Sequence, residues 1–230
     1  MGKIIALVNQ KGGVGKTTTS IYLAAALGVL GKKILLVDLD PQGNTTTGIG
    51  INKADVTKSI YDVLVNNYSM DEVIIKTKFK NLKVIPATIN LAGADIELLE
   101  KSRTKSGFSK NHQLKQNLGN IKEEFDFILI DCPPSLGILT TNALTASDAV
   151  IIPVQCEFFA LEGIMQLLNT IMLVQKNLNT ALDIEGVLLT MLDSRTNLGL
   201  EVVEEIRSYF KDRVYNTNIP RLIRLSEAPT

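Results

Sequence analysis

Short aliphatic runs alternate with longer amphipathic segments along the chain. The aliphatic runs predict buried strands, because each is continuous, apolar and no longer than a strand. These strands are expected at residues 3–9, 33–39, 82–86, 126–131, 149–154 and 184–191. Helical periodicity is found at residues 16–30, where Gly31 marks the expected end, and near 57–66, 90–101, 109–124, 160–177 and 197–210. The pattern is therefore strand–helix alternation.

Such alternation predicts an α/β fold with a mostly parallel, twisted sheet and helices on both faces. The sequence has no internal repeat, low-complexity tract or linker, so a single domain over residues 1–230 is expected. The last residues before Thr230 are turn-like and include no closing helix. We therefore expect the native chain to continue further at its C-terminal end.

Composition excludes several classes of protein. The 230 residues carry 24 basic and 24 acidic side chains, so attraction to nucleic acid would require a local basic patch. The two cysteines, Cys132 and Cys156, make a disulfide scaffold unlikely and favour a cytoplasmic protein. The N-terminus has no signal-peptide pattern, and no apolar run approaches the ~20 residues of a membrane span.

A glycine-rich loop joins the first strand to the first helix. It reads QKGGVGKTT over residues 10–18, which is the context of a phosphate-binding loop. Glycines allow the backbone to approach an anion closely, and the helix N-terminus adds its positive end. Lys16 would contact the β- and γ-phosphates of ATP, and Thr17 would bind Mg²⁺. The expected nucleotide-binding residues on this pattern are Gly12, Gly13, Val14, Gly15, Lys16, Thr17 and Thr18. The alternative is a turn without a ligand.

The loop departs from the pattern G-x-x-x-x-G-K-[ST] at its start. Gln10 replaces the first glycine, and Lys11 opens the loop. Lys11 has no evident role on the phosphates of its own nucleotide, because Lys16 already fills that place. A solvated surface lysine is the alternative interpretation.

Carboxylates follow two of the predicted strands. Asp38 and Asp40 end the second strand, where ligands bind in parallel sheets, and one could orient water while the other holds metal-bound water. An Asp40–Pro41 turn is the alternative. Asp131 ends the run FILID and would bind Mg²⁺ through water, so the expected metal residues are Thr17, Asp40 and Asp131.

Cys132 has no neighbouring base and is interpreted as structural. The chemistry predicted is phosphoryl transfer to water, slow without a partner because no water-positioning glutamine is evident.

Six strings carry a resemblance to a known family: NQKGGVGKTTT, LLVDLDPQGN, IDCPPSLG, PVQCEFFALEG, TMLDSRTNLG and IPRLIRLSEAP. In this order and spacing they resemble the ParA/Soj partition ATPases of the deviant Walker A (ParA/MinD) superfamily, with a P-loop NTPase fold. The resemblance implies that Lys11 reaches the partner's nucleotide in a sandwich homodimer. It assigns catalytic roles to Lys11, Lys16 and Asp40, makes residues 40–47 a switch, and places Pro220 and Arg221 near adenine.

The same resemblance implies chromosome or plasmid partition: ATP-dependent dimerisation, non-specific DNA binding and hydrolysis stimulated by a ParB/Spo0J-like partner. It associates Arg195 and Arg224 with DNA, whereas ordinary surface ion pairs are the alternative. Because the chain begins at its first strand, the short Soj-like type is expected, associated with the nucleoid and not with a membrane. A MinD-like membrane protein, a nitrogenase iron-protein-like ATPase and a bacterial tyrosine kinase remain alternatives.

Overall fold

A parallel sheet forms the centre of the molecule. The computed structural model describes residues 2–157, 160–193, 195 and 197–221. Within those ranges eight strands lie in the order β3-β4-β2-β5-β1-β6-β7-β8, and β3 alone is antiparallel to its neighbour. The strands are β1 (Lys3–Leu7), β2 (Ile34–Asp38), β3 (Ile75–Lys76), β4 (Leu82–Ile85), β5 (Phe127–Asp131), β6 (Ala149–Gln155), β7 (Asp183–Leu192) and β8 (Ile219–Pro220).

Helices cover both faces of the sheet. They are α1 (Lys16–Val29), α2 (Asn44–Gly48), α3 (Ile60–Leu64), α4 (Ala94–Thr104), α5 (Gln113–Gly119), α6 (Ile138–Ala146), α7 (Ala160–Asn177) and α8 (Asn197–Phe210). Successive residues of β1 alternate between two buried clusters: Ile5 and Leu7 pack with Ala24 of α1, whereas Ile4 and Ala6 belong to the larger cluster. This alternation is the period of a strand that is buried on both faces. The predicted α/β architecture is confirmed.

The structure differs from the predicted elements in several places. Helix α6 was not predicted, because most of its side chains are buried and its sequence, ILTTNALTA, has no polar stripe to reveal a helical period. The segment predicted as a helix over 109–124 is helical only in α5 and in a 3₁₀ turn at Lys122–Glu124. Strands β3 and β8 have two residues each, which is too short for a pattern to detect.

Strand register brings the predicted functional residues to one edge of the sheet. Leu7 of β1 and Asp38 of β2 both pair with Asp131 of β5, so the carboxyl ends of three neighbouring strands are level. The glycine-rich loop leaves β1 at this edge and enters α1. Ligands bind at this edge in parallel α/β sheets.

Candidate nucleotide site

The glycine-rich loop borders an open cleft of about 340 Å³. Gly13 and Gly15 have φ angles of +74° and +85°, a region that favours glycine, and Gly15 is the N-cap of α1. The Thr190 hydroxyl donates a 2.8 Å hydrogen bond to the Val14 carbonyl, which fixes the loop to β7. The cleft is lined by Gly12, Gly13, Gly15, Lys16, Thr17, Thr18, Asp40, Gln42, Asn44, Pro134 and Met191.

Lys16 is the buried cation of the cleft. Its side-chain ammonium donates a 3.1 Å hydrogen bond to the carbonyl of Lys11, across the loop. Burial lowers the pKa of Lys16, and the neighbouring carboxylate of Asp131 opposes that shift. An anion in the cleft would therefore meet a desolvated ammonium, whose attraction is stronger than that of a surface lysine.

Asp131 accepts hydrogen bonds from three hydroxyl groups, one of which belongs to Thr17 in the lining of the cleft. Its Oδ2 accepts hydrogen bonds from Thr17 (2.8 Å) and Thr45 (2.7 Å), and its Oδ1 accepts one from Ser20 (3.2 Å). The side chain is fully buried, and burial raises its pKa.

The oxygen atoms of Thr17 and Asp131 suit Mg²⁺, which prefers oxygen ligands and keeps several waters. In the part of the chain that the structure describes, no three His, Cys, Asp or Glu side chains form a metal cage. A cation here would therefore complete its coordination with water and phosphate oxygens, as Mg²⁺ does in nucleotide sites.

The two aspartates that follow β2 have different surroundings. Asp40 lines the cleft, and its Oδ1 accepts a 2.9 Å hydrogen bond from the Gln42 N–H. Asp38 is fully buried beside Asp131, and burial together with the Asp131 charge raises its pKa to about 7. Of the two carboxylates left open by the sequence, Asp40 is thus the one placed to meet a water molecule in the cleft. The Asp40–Pro41 turn also exists, since the Gly43 N–H donates to the Asp40 carbonyl at 2.9 Å.

Lys11 differs from Lys16 in both exposure and partner. Its ammonium lies 2.8 Å from Glu157 Oε2, and its side chain is 40% exposed. No pattern in the sequence indicates Glu157 as its partner, because Glu157 lies 146 residues away and follows β6. Next to Lys11, the side-chain oxygen of Gln10 is buried and has no hydrogen-bond partner among the described residues.

Comparison with known proteins identifies the family of this chain. A family model described as an AAA domain matches residues 2–184. The chain is 62% identical over 230 residues to the sporulation initiation inhibitor protein Soj of Bacillus subtilis, covering all of this chain and 88% of that protein. It is 49% identical to the chromosome partitioning protein ParA of Myxococcus xanthus, covering 100% and 79%. The chain belongs to the Soj/ParA family.

Solved structures show the same P-loop NTPase fold. A Mycobacterium smegmatis protein titled cobyrinic acid a,c-diamide synthase, with bound ADP and magnesium, is 39% identical with a TM-score of 0.88, covering 100% of this chain and 91% of that one. A plasmid partition protein of Borrelia burgdorferi, bound to AMPPNP, is 31% identical with a TM-score of 0.83, covering 100% and 89%. The fold and family predicted for this Soj/ParA chain are therefore confirmed.

The predicted adenine-proximal residues lie at the β8 edge of this family member. Pro220 pairs with Leu192 of β7, and the Arg221 N–H donates a 3.2 Å hydrogen bond to the Leu192 carbonyl. An apolar recess of about 310 Å³ adjoins this edge, and it shares Thr18 with the phosphate cleft. It is lined by Thr18, Thr19, Tyr22, Leu23, Leu188 and Ile219, the residue before Pro220. A flat aromatic base would find apolar contacts there.

The proposed DNA-binding arginines are only partly described. Arg195 follows β7 with its side chain 88% exposed, and it forms a two-point ion pair with Asp193: Nε to Oδ1 at 2.8 Å and Nη2 to Oδ2 at 2.8 Å. This ion pair lowers the pKa of Asp193 to about 2. Arg224 lies outside the described residues, and the association of Arg195 and Arg224 with DNA stays a prediction.

Neither cysteine has the surroundings of a reactive thiol. Cys132 and Cys156 are free and buried. Burial raises the pKa of Cys132 well above its usual value and that of Cys156 to about 11. A thiol with a raised pKa is a poor nucleophile and metal ligand at neutral pH.

Among the described helices, none combines the length and the apolar character needed to cross a membrane.

Proposed function

We propose that this chain is a cytoplasmic, nucleoid-associated partition ATPase that dimerises around ATP and binds DNA without sequence preference. Its hydrolysis of ATP is stimulated by a ParB/Spo0J-like partner. The relatives support this assignment. The proteins named Soj and ParA are 62% and 49% identical to this chain, whereas the solved structure titled as a synthase is 39% identical to it. One geometric observation carries the proposal further.

That observation is the contrast between two lysines of one loop. Lys16 lines the cleft and is buried, so it serves the nucleotide bound by its own subunit. Lys11 is not part of the cleft lining, and its exposed ammonium is held by Glu157. A lysine of the phosphate loop that does not line the cleft of its own subunit is available to a phosphate that a second subunit brings. The dimer proposed is therefore a nucleotide sandwich.

ATP and Mg²⁺ fit the residues of the cleft. The backbone of residues 12–18 and the Lys16 ammonium hold the phosphates, with Lys11 contacting those of the partner subunit. Thr17 and, through water, Asp131 hold the cation, which neutralises charge on the phosphate oxygens when it is bound. Asp40 lies at the cleft to accept a hydrogen bond from the attacking water and to align it. Pro220 and Arg221 border the base.

Substitution of the two lysines separates nucleotide binding from dimerisation. We expect Lys16→Ala to abolish binding of a fluorescent ATP analogue. Lys11→Ala should bind the analogue as the wild type does but should stay monomeric with ATP in analytical ultracentrifugation. Lys3→Ala is the matched control, because Lys3 is equally exposed and also forms an ion pair, with Glu185. An ATP-dependent dimer of Lys11→Ala with wild-type stability would contradict the sandwich.

DNA binding in different nucleotide states tests the second part of the proposal. Binding of the wild type to a random-sequence duplex should be strong with ATP and weak with ADP or without nucleotide, since only the dimer doubles the number of cationic contacts. Equal binding in all three states would refute the switch. Sedimentation with anionic liposomes, in place of DNA binding, would favour the MinD-like alternative.

A further inference from the structure

Two adjacent threonines of α2 are bound to two adjacent buried carboxylates. Thr45 donates its hydroxyl to Asp131 at 2.7 Å, and Thr46 donates its hydroxyl to Asp38 at 2.6 Å. Both threonines are fully buried, as are both aspartates. The segment after Asp40 is thus attached to the ends of β2 and β5 by side chains that have no access to solvent.

The contacts of Asp38 continue to the residue that lines the cleft. One oxygen of Asp38 accepts both the hydroxyl and the backbone N–H of Thr46, the latter at 2.8 Å, and the other oxygen accepts the Asp40 N–H at 3.2 Å. The Thr46 hydroxyl oxygen in turn accepts the Ala87 N–H at 3.0 Å, beyond β4. A single chain of hydrogen bonds therefore joins the loop after β4 to the backbone of Asp40.

We propose that Asp38 and Thr46 are positioning residues that hold Asp40 in the orientation needed for hydrolysis. This inference rests on the proposed ATPase function. Asp40 itself is half-buried in an open cleft. A buried carboxylate that accepts three hydrogen bonds cannot rotate without leaving donors unpaired, which is costly, so it transmits a fixed position to Asp40. Neither Asp38 nor Thr46 lines the cleft, so neither is expected to contribute to nucleotide affinity.

Replacement of Thr46 by an isosteric residue tests this role. Thr46→Val removes the hydroxyl and keeps the volume, and we expect the single-turnover rate of ATP hydrolysis to fall about 10- to 100-fold, the effect of a misplaced reacting group. The dissociation constant for the ATP analogue should stay within about two-fold of the wild-type value, because a positioning residue acts on the rate and not on ground-state binding. Thr46→Ser, which retains the hydroxyl, should restore most of the rate.

A matched control lies on another helix. Thr104 at the end of α4 is exposed, and its hydroxyl donates a 3.0 Å hydrogen bond to the Glu100 carbonyl, so Thr104→Val should hydrolyse ATP at the wild-type rate. If Thr46→Val proves unstable because the Ala87 N–H loses its acceptor, Asp38→Asn serves instead. Both oxygens of Asp38 accept hydrogen bonds, and asparagine has only one oxygen, so the contacts to either Thr46 or Asp40 are weakened. We therefore expect the same loss of hydrolysis rate without loss of nucleotide affinity.

The outcomes are distinct. Wild-type rates in both Thr46→Val and Asp38→Asn would overturn the inference and leave the proposed function intact. A loss of rate that Thr46→Ser shares, or that follows a parallel loss of nucleotide affinity, would also overturn it, since a general structural role then suffices. Wild-type protein that binds ATP and never hydrolyses it would refute the proposed function, and this inference with it.

Discussion

The edge of the sheet that carries the cleft has a buried interior, around Asp38 and Asp131, and an exposed rim, around Lys11 and Arg195. Different kinds of contact hold these two regions. In the interior, Asp38 and Asp131 each accept three hydrogen bonds while fully buried. On the rim, Lys11 is partly exposed and Arg195 is exposed, and each is held by a carboxylate close to the end of a strand, Glu157 or Asp193.

The difference corresponds to the molecules that each region is proposed to meet. The interior groups are proposed to serve the nucleotide of their own subunit, and burial fixes their geometry before any ligand binds. The rim cations are proposed to serve other molecules, the partner's nucleotide and DNA. Exposed ion pairs are weak and screened by salt, so a stronger anion can replace the carboxylate without disturbing the fold.

The largest effect should follow from a change in the interior. In Asp131→Asn the amide oxygen still accepts a hydrogen bond from Thr17, but the negative charge on the proposed metal site is lost. We expect hydrolysis to fall at least about 100-fold, because correct placement of the metal contributes several kcal/mol to transition-state stabilisation. Single-turnover hydrolysis across a Mg²⁺ titration measures this loss.

Asp148→Asn is the control for that experiment. Asp148 also lies at a strand boundary, but its carboxylate pairs with Lys122, away from the cleft. Both variants lose one negative charge, so an equal loss of activity in the two would show that net charge and not the cleft is responsible.

How much of this interior could be predicted depends on sequence distance. The glycine loop, Lys16 and Thr17 form one continuous string, and Asp131 ends a recognisable strand, so local patterns were sufficient for these residues. The choice between Asp38 and Asp40 needed the fold, because both follow the same strand and only packing shows which one is buried. Thr45 and Thr46 gave no signal, since they are ordinary residues of a polar segment whose acceptors lie on other strands.

The rim was harder to predict, for the same reason. The partner of Lys11 is 146 residues distant, and Thr190, which holds Val14, is 176 residues distant. Neither pairing leaves a periodicity or a spacing that can be detected in one sequence. The resemblance to the family identified Lys11 and Arg195 as candidates. The carboxylate that holds Lys11 became visible only in three dimensions, whereas Asp193 lies two residues from Arg195 in the sequence.

A smaller effect is expected on the rim at Arg195. Arg195→Ala should leave ATP hydrolysis unchanged and should weaken DNA binding by the ATP-bound dimer. Each arginine that contacts a phosphate adds about one to the slope of log K against log salt, so a dimer should lose about two. The salt dependence of binding to a random-sequence duplex measures this slope.

Arg213→Ala is the matched control for Arg195→Ala. Arg213 is also exposed and ion-paired, but with Asp183, at the other end of β7. Both variants change the net charge by one, so an equal loss of slope in both would show that the effect is one of overall charge. An unchanged slope in Arg195→Ala would remove this residue from the DNA-binding surface.

The smallest effect should come from releasing Lys11 without removing it. In the structure Glu157 neutralises the ammonium that is proposed to reach the partner's phosphates, so the ion pair must open before the dimer forms. Glu157→Gln removes that competing charge and should strengthen ATP-dependent dimerisation by at most about five-fold for each of the two ion pairs that open, the value of one exposed ion pair. Sedimentation equilibrium with an ATP analogue gives the dimer dissociation constant.

Glu185→Gln breaks the similarly exposed pair with Lys3 and should leave that constant unchanged. Weaker dimerisation in Glu157→Gln would instead assign the glutamate to the dimer interface, and the rim would then be as specifically built as the interior.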